Sequence, residues 1–277
     1  MKISYTLLVV VMLFLTIIFL LNYQESFFTY KNNMKELMPI YCINMKKHST
    51  RWNKISKQAK SEKLEITRFE AINGFSYSMD SLIKKNIISP FTPFTRGTAG
   101  CYMSHHKLWT KIAKNNDNYA LIIEDDVIFE KDFLNKLLKL LVNIPQDWDI
   151  IYLGLTRPYG SHVKENIYKT NYKVNTNAGA YAYILKKSTA KTLIKLCSFP
   201  MKEMIDHCIK KHHSKFNVYF TYPYLIKHDF NVKPVRLKNK IYSADYIKNT
   251  NKLSLHKLPA AFDQPRARLN FITQVIY

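Results

Sequence analysis

Residues 119–130 read YALIIEDDVIFE. Leu121, Ile122 and Ile123 form a short apolar run, the pattern of a strand buried on both faces. Glu124, Asp125 and Asp126 follow at once. Like charges gathered at a strand end repel, so the folded chain needs a compensating cation there or open access to water. Side chains alternate along an extended chain, so Glu124 and Asp126 are expected on one face and Asp125 on the other. Two hard oxygen donors on one face suit Mg²⁺ or Mn²⁺ that also holds phosphate oxygens. The carboxyl ends of strands in open α/β sheets are where ligands bind. The same triplet also reads as a solvated acidic turn.

Upstream, Leu108, Trp109, Ile112 and Ala113 mark one face of a helix. Gly97 and Gly100 are placed just before it, where they allow close backbone approach, and a helix amino end can hold a phosphate. Ser104, His105 and His106 lie near that start, and the histidines read as structural hydrogen-bonders. Residues 38–45 (MPIYCINM) form a first core strand ending in Asn44. The basic loop after it, with Arg51, suits a base and phosphates, or is an exposed turn with a helix cap at Ser49 or Thr50. Residues 66–72 read as a strand, Asn73-Gly74 as a turn, and residues 75–98 as a long loop with one short helix.

Downstream, Phe133, Leu134, Leu137, Leu138, Leu140 and Leu141 trace an amphipathic helix that ends before Pro145. Residues 148–154 (WDIIYLG) are a buried strand, and residues 155–173 read as a mobile polar loop. Residues 174–185 give a turn into a strand, and residues 188–197 a helix with Ser188 as cap. Asp206 sits at the edge of a helical apolar stripe, the position of a solvated side chain. Residues 216–223 read as a strand, with His228 and Asp229 beyond it. Strands alternating with helices indicate one α/β domain.

The 277 residues carry a formal charge of +22. That excess suits nucleotide phosphates, anionic lipid or acidic acceptors. The lysines are scattered and no nucleic-acid-binding motif is present, so nucleic acid is not an expected partner. Cys42, Cys101, Cys197 and Cys208 have no CxxC spacing, which argues against structural zinc and leaves disulfides and buried thiols both open.

Residues 3–23 have no charged side chain. About 20 such residues span a hydrocarbon core of about 30 Å, and no small-residue cleavage site follows. The expected organisation is a transmembrane signal anchor at 1–24, a stem at 25–37, a catalytic domain at 38–235 and a basic tail at 236–277. With Lys2 alone before the span, the orientation signal is thin; a type II arrangement puts the body in a lumen or at the membrane surface.

Six segments occur in the order seen in glycosyltransferase family 25, which the chain resembles. They are IYCINMKKHSTRW (40–52), FEAING (69–74), RGTAGCYMSHHKLW (96–109), LIIEDDVIF (121–129), WDIIYLG (148–154) and NAGAYAYILKKSTAKTL (177–193). Asn73 departs from the family's commoner Asp before the Gly. The resemblance implies a GT-A-like nucleotide-sugar-binding domain with a mixed central sheet. It implies a UDP-sugar donor, galactose or glucose, an acceptor hydroxyl on a glycan, lipid-linked saccharide or protein, and inversion at the anomeric carbon. Asp126 becomes the expected direct metal ligand, with Glu124 helping by metal or ribose contact. Asn44, Arg51, Asp125 and Gly179 become donor-binding candidates, Asp206 the catalytic base and, by analogy with other GT-A enzymes, His228 a late metal ligand. Two rival readings are an inactive GT-A-like scaffold and a basic membrane-surface binder. The second leaves the acidic triplet unexplained.

Overall fold

The computed structural model describes residues 10–18, 38–156, 158–172 and 178–229. Residues 10–18 are helical, and among the described residues no helix is long and apolar enough to cross a membrane. The rest of the predicted anchor, the stem and the basic tail lie outside the described residues.

The body is a mixed eight-stranded sheet in the order β2-β1-β3-β8-β5-β9-β7-β6. Its strands are β1 (Ile40–Asn44), β2 (Thr67–Glu70), β3 (Tyr119–Glu124) and β5 (Ile150–Thr156). The others are β6 (Gly160–Lys164), β7 (Ile167–Thr170), β8 (Ala178–Lys186) and β9 (Val218–Thr221). A separate antiparallel pair joins β4 (Val127–Phe129) to β10 (Ile226–His228).

β1 pairs parallel with β2 and β3, β8 runs antiparallel to β3 and β5, and β5 runs parallel to β9. The carboxyl ends of β1, β3 and β5 therefore meet the amino end of β8 along one edge of the sheet. The acidic triplet lies on that edge.

Alternation along β3 shows why the sheet needs cover on both sides. Ala120 and Ile122 face α3 (Arg96–Lys114) and α5 (Lys187–Leu196), packing with Leu108, Trp109, Ile112 and Leu193. Leu121 and Ile123 face α1 (Ser49–Ser61) and α4 (Phe133–Asn143), packing with Ile55, Phe133 and Leu137. Both apolar layers are buried, so the run covered on two faces is a central strand. Two shorter helices, α2 (Met79–Lys84) and α6 (Ile205–Lys211), complete the domain, and Cys197 is disulfide-bonded to Cys208.

Several local expectations need correction. The segment read as a mobile loop contains the β6–β7 hairpin, which extends the sheet beyond β9. Its outer strand is mainly exposed, so it lacks the apolar alternation that marks a half-buried strand. α3 starts at Arg96, well before the apolar face that begins at Leu108, because Thr95 Oγ1 accepts from Thr98 N at 3.1 Å. Gly97 and Gly100 thus lie inside the helix. Neither Ser49, Thr50 nor Ser188 caps a helix: α1 follows His48 and α5 follows Lys186, without a side-chain cap.

Candidate functional site

β3 stops at Glu124, and the chain bends through Asp125 and Asp126 before β4 begins. The bend breaks the strict alternation expected of an extended chain. Glu124 turns toward α3, where His105 Nε2 lies 3.2 Å from its Oε1 and Cys101 Sγ donates at 3.7 Å. Asp125 accepts from Arg51 Nη1 at 2.8 Å and from Asn44 Nδ2 at 2.5 Å. Asp126 Oδ2 stands 3.8 Å from the same Arg51 nitrogen and 3.7 Å from His228 Nε2. Asp125 and Asp126 therefore share a guanidinium instead of taking opposite faces.

Each partner is delivered by backbone pairing. Arg51 is in the first turn of α1, directly after β1, which is parallel to β3. Asn44 ends β1, and its amide is turned by Arg68, whose Nε donates to Asn44 Oδ1 at 2.8 Å. Arg68 also donates to the carbonyls of Met45 and Lys46 and lies over the Trp52 ring. His228 pairs with Val127 across the β4–β10 ladder, and Asp229 N donates to Asp126 O at 2.8 Å. The Asp229 carboxylate, almost fully buried, is paired with Lys54.

These groups open onto a cavity of about 820 Å³. Arg51, Glu124, Asp125, Asp126, Asp206 and His228 all line it, as does Gly179 at the start of β8. Asn44 is not on the wall; it supports Asp125 from behind. Gly179 has φ +127°, a conformation that L side chains rarely adopt, and a Cβ there would press to 3.3 Å from the Tyr181 ring. Asp206 is in the first turn of α6, part-buried, with Oδ1 accepting from His207 N at 3.0 Å. It is a cavity group, not the solvated side chain that its flanking pattern suggests.

Another part of the cavity wall, at Gly74 and Gly97, rests on a close backbone contact. A Cβ on Gly74 would lie 1.8 Å from Arg96 O, and one on Gly100 would lie 2.6 Å from Gly74 N. The FEAING turn is thereby seated on the first turn of α3. Asn73, the departure from the family pattern, keeps the turn's role: its Oδ1 accepts from Phe75 N at 3.2 Å. Ser104 Oγ adds a bond from Ile72 N at 2.8 Å.

The acidic edge shapes nearby ionisations. Burial, helped by the charges of Asp125, Asp126 and Glu124, pushes the Cys42 thiol well above its ordinary value, so it stays protonated and inert. Burial and Tyr222 push the hydroxyl of Tyr224, on the cavity wall, up to about 12. The Tyr181 phenol is raised further, and burial is again the leading cause. Both remain neutral hydrogen-bonding groups at physiological pH.

A carboxylate with one imidazole suits Mn²⁺ better than Mg²⁺, which prefers oxygen ligands alone, and Asp126 with His228 offers that donor set on the cavity wall. Glu124 does not join them. Among the described residues, the trio of ligating atoms gathered within 4.8 Å is Cys101, His105 and Glu124. The predicted set of Glu124, Asp126 and His228 is thus split by the bend at residue 125. Arg68, Cys101 and Lys54 were not anticipated from the sequence. Their partners are far apart in the chain: the pairing of β1 with β2 brings Arg68 to Asn44, while the packing of α3 and α1 on the sheet brings Cys101 to Glu124 and Lys54 to Asp229.

Residues 37–209 match the family described as Glycosyltransferase family 25 (LPS biosynthesis protein). Procollagen galactosyltransferase 2 of Homo sapiens is 29% identical over 197 residues, covering 62% of this chain and 30% of that protein. Procollagen galactosyltransferase 1-A of Xenopus laevis is 25% identical over 253 residues, covering 82% of this chain and 40% of that protein. The chain thus spans well under half the length of these curated relatives. Among solved structures, a glycosyltransferase involved in the glycosylation of the major capsid of PBCV-1 superposes with a TM-score of 0.41. It shares 9% identity and covers 78% of this chain and 99% of that one.

Proposed function

The chain belongs to glycosyltransferase family 25, and on that premise we propose that it moves a hexose, galactose or glucose, from a UDP-sugar to an acceptor hydroxyl. The acceptor is a glycan, a lipid-linked saccharide or a hydroxylated protein side chain. The observation that carries this reading is the convergence of Arg51, the acidic triplet, Gly179, Asp206 and His228 on one cavity.

Asp126 and His228 would hold Mn²⁺ or Mg²⁺, whose charge, when bound, offsets that of the diphosphate leaving group. Arg51 is fixed by Asp125 and presents a cation to the same wall. Glu124 faces the donor. Gly179 lets the chain turn at φ +127° on the cavity wall, where a side chain would be strained and crowd Tyr181. Asp206 takes the proton of the acceptor hydroxyl as its oxygen attacks the anomeric carbon and UDP departs on the opposite face, which inverts that carbon. Holding both substrates in line in one cavity removes much of the entropic barrier.

We place the protein in a membrane through residues 1–24, as a type II single-pass chain with the catalytic body lumenal or at the membrane surface. The uncharged run at residues 3–23 supports this. Protease protection in sealed vesicles tests it: cleavage of the body without detergent from the cytosolic side would reverse the orientation.

The deciding experiment is UDP release by the full chain, with Mn²⁺ or chelator, over UDP-galactose, UDP-glucose and UDP-N-acetylhexosamines. Metal-dependent turnover that disappears in Asp126→Ala is expected. Absence of both turnover and UDP–Mn²⁺ binding in calorimetry would overturn the proposal in favour of an inactive scaffold.

A further inference from the structure

Behind Glu124 lies a chain of buried hydrogen bonds. Trp109 Nε1 donates to the Tyr183 hydroxyl oxygen at 2.8 Å, and that oxygen is 2.9 Å from His105 Nδ1. His105 Nε2 is in turn 3.2 Å from Glu124 Oε1. Trp109, Tyr183 and His105 are all fully buried, while the Glu124 side chain is 28% exposed and reaches the cavity wall. We infer that His105 is a positioning residue, holding Glu124 against the donor site as the last link of a one-directional relay from Trp109 through Tyr183.

Donor and acceptor chemistry sets the direction. An indole N–H only donates, so Trp109 occupies one lone pair of the Tyr183 oxygen. The hydroxyl then has one hydrogen to place, and among the described residues His105 Nδ1 is the acceptor within hydrogen-bond distance. The reverse arrangement, with Nδ1–H donating to Tyr183, would leave a buried O–H unmet, a costly state that folded proteins avoid. Nδ1 therefore accepts. The ring proton sits on Nε2 and points at Glu124.

This polarity decides between two uses of one cluster. Cys101 and His105 are four apart on α3, and with Glu124 their ligating atoms have the spacing of a metal site. A metal would need the lone pair of Nε2, which the relay fills with a proton. The trio is a hydrogen-bonded hub. The ring is also fixed sideways, stacked on Tyr183 with its plane 20° away and edge-on to Trp109. Glu124 is thus aimed from the core, and its functional importance rests on the donor-site reading above.

The test begins with a readout independent of activity. Long-range ¹⁵N–¹H correlation on the full chain with ¹⁵N-histidine is expected to show the His105 ring proton on Nε2 and Nδ1 as an acceptor, and Tyr183→Phe to lose that preference. Calorimetry with UDP and Mn²⁺ is expected to show about tenfold weaker binding in Tyr183→Phe and His105→Leu. His105→Gln, which offers an oxygen toward Tyr183 and an N–H toward Glu124, should restore it. A wild-type Nδ1–H tautomer would overturn the relay. So would a cobalt–thiolate absorption band on adding Co²⁺ that vanishes in Cys101→Ser, since the trio would then be a metal centre. If the wild type binds no UDP–Mn²⁺, the donor-site reading fails, while the tautomer still decides the relay.

Discussion

His228 Nε2 stands 3.7 Å from Asp126 Oδ2 because His228 is paired with Val127 in the β4–β10 ladder. A two-stranded ribbon, separate from the main sheet, thus completes the edge where β3 ends. Removing either side chain tests the pairing. Asp126→Asn is expected to cut metal-dependent UDP release by about two to three orders of magnitude, and His228→Ala by about ten- to a hundredfold. Raising the Mn²⁺ concentration should partly rescue His228→Ala. Equal activity of His228→Ala and wild type at limiting Mn²⁺ would remove His228 from the site.

Arg51 is the cation that the acidic edge requires. Its side chain and that of Asp125 are 16% and 11% exposed, so their bond is only weakly screened. Arg51→Ala should destabilise the fold by about 2 kcal/mol, less than a fully buried pair would lose, since Asn44 still holds Asp125. The shift in the urea midpoint measures this. A loss under about 0.5 kcal/mol would put the pair with ordinary surface bridges.

Gly74 and Gly100 bring the FEAING turn and α3 together without side chains between them. Gly74→Ala would drive a methyl into the Arg96 carbonyl, which the helix cannot yield cheaply. A loss of at least about 2 kcal/mol is expected, with weaker nucleotide binding as the rim shifts. Thermal unfolding with and without UDP separates the two effects.

The Cys197–Cys208 bridge closes a short loop between the end of α5 and α6, which carries Asp206. Reduction, or the double change to serine, should cost about 3 kcal/mol. Turnover is expected to fall more than nucleotide affinity, because the Asp206 helix is loosened while the acidic edge is untouched. An unchanged turnover in the double variant would detach Asp206 from catalysis.

His213 gives the fold an acid limit. Burial, aided by the Lys210 charge, pulls its pKa from 6.5 to about 4, and Tyr152 sits against its Nε2 at 3.2 Å. Below about pH 6.5 the unfolded chain binds a proton here that the folded chain refuses until about pH 4. Stability should therefore fall as pH falls through that window, by up to about 3 kcal/mol at its lower end. Unfolding free energies from pH 7 to 4.5 for wild type and His213→Phe check this: the variant should show the shallower decline.

The centre of the fold was legible because β3 and β5 are continuous apolar runs and α3 and α4 carry long periodic faces. The β6–β7 hairpin was not, since an edge strand that stays wet carries no two-residue apolar period. At the site, Asp126, Arg51 and His228 could be named from local pattern or resemblance. The direction of Glu124 was hidden, because alternation holds only while the strand continues, and it ends at that residue. Arg68 acts from the neighbouring strand and Cys101 from a helix packed on the sheet, relations that no short window of sequence contains.

The order of the strands bears on how the polypeptide matures. β9 is inserted between β5 and β7, and β10 brings His228, yet both follow residue 209, where the family match stops. A nascent chain emerging amino end first holds the acidic edge and Arg51 well before it can close the sheet or present the His228 imidazole. On the proposed function, nucleotide binding would then become possible only late in synthesis, and fragments ending near residue 209 are expected to bind chaperones and not UDP.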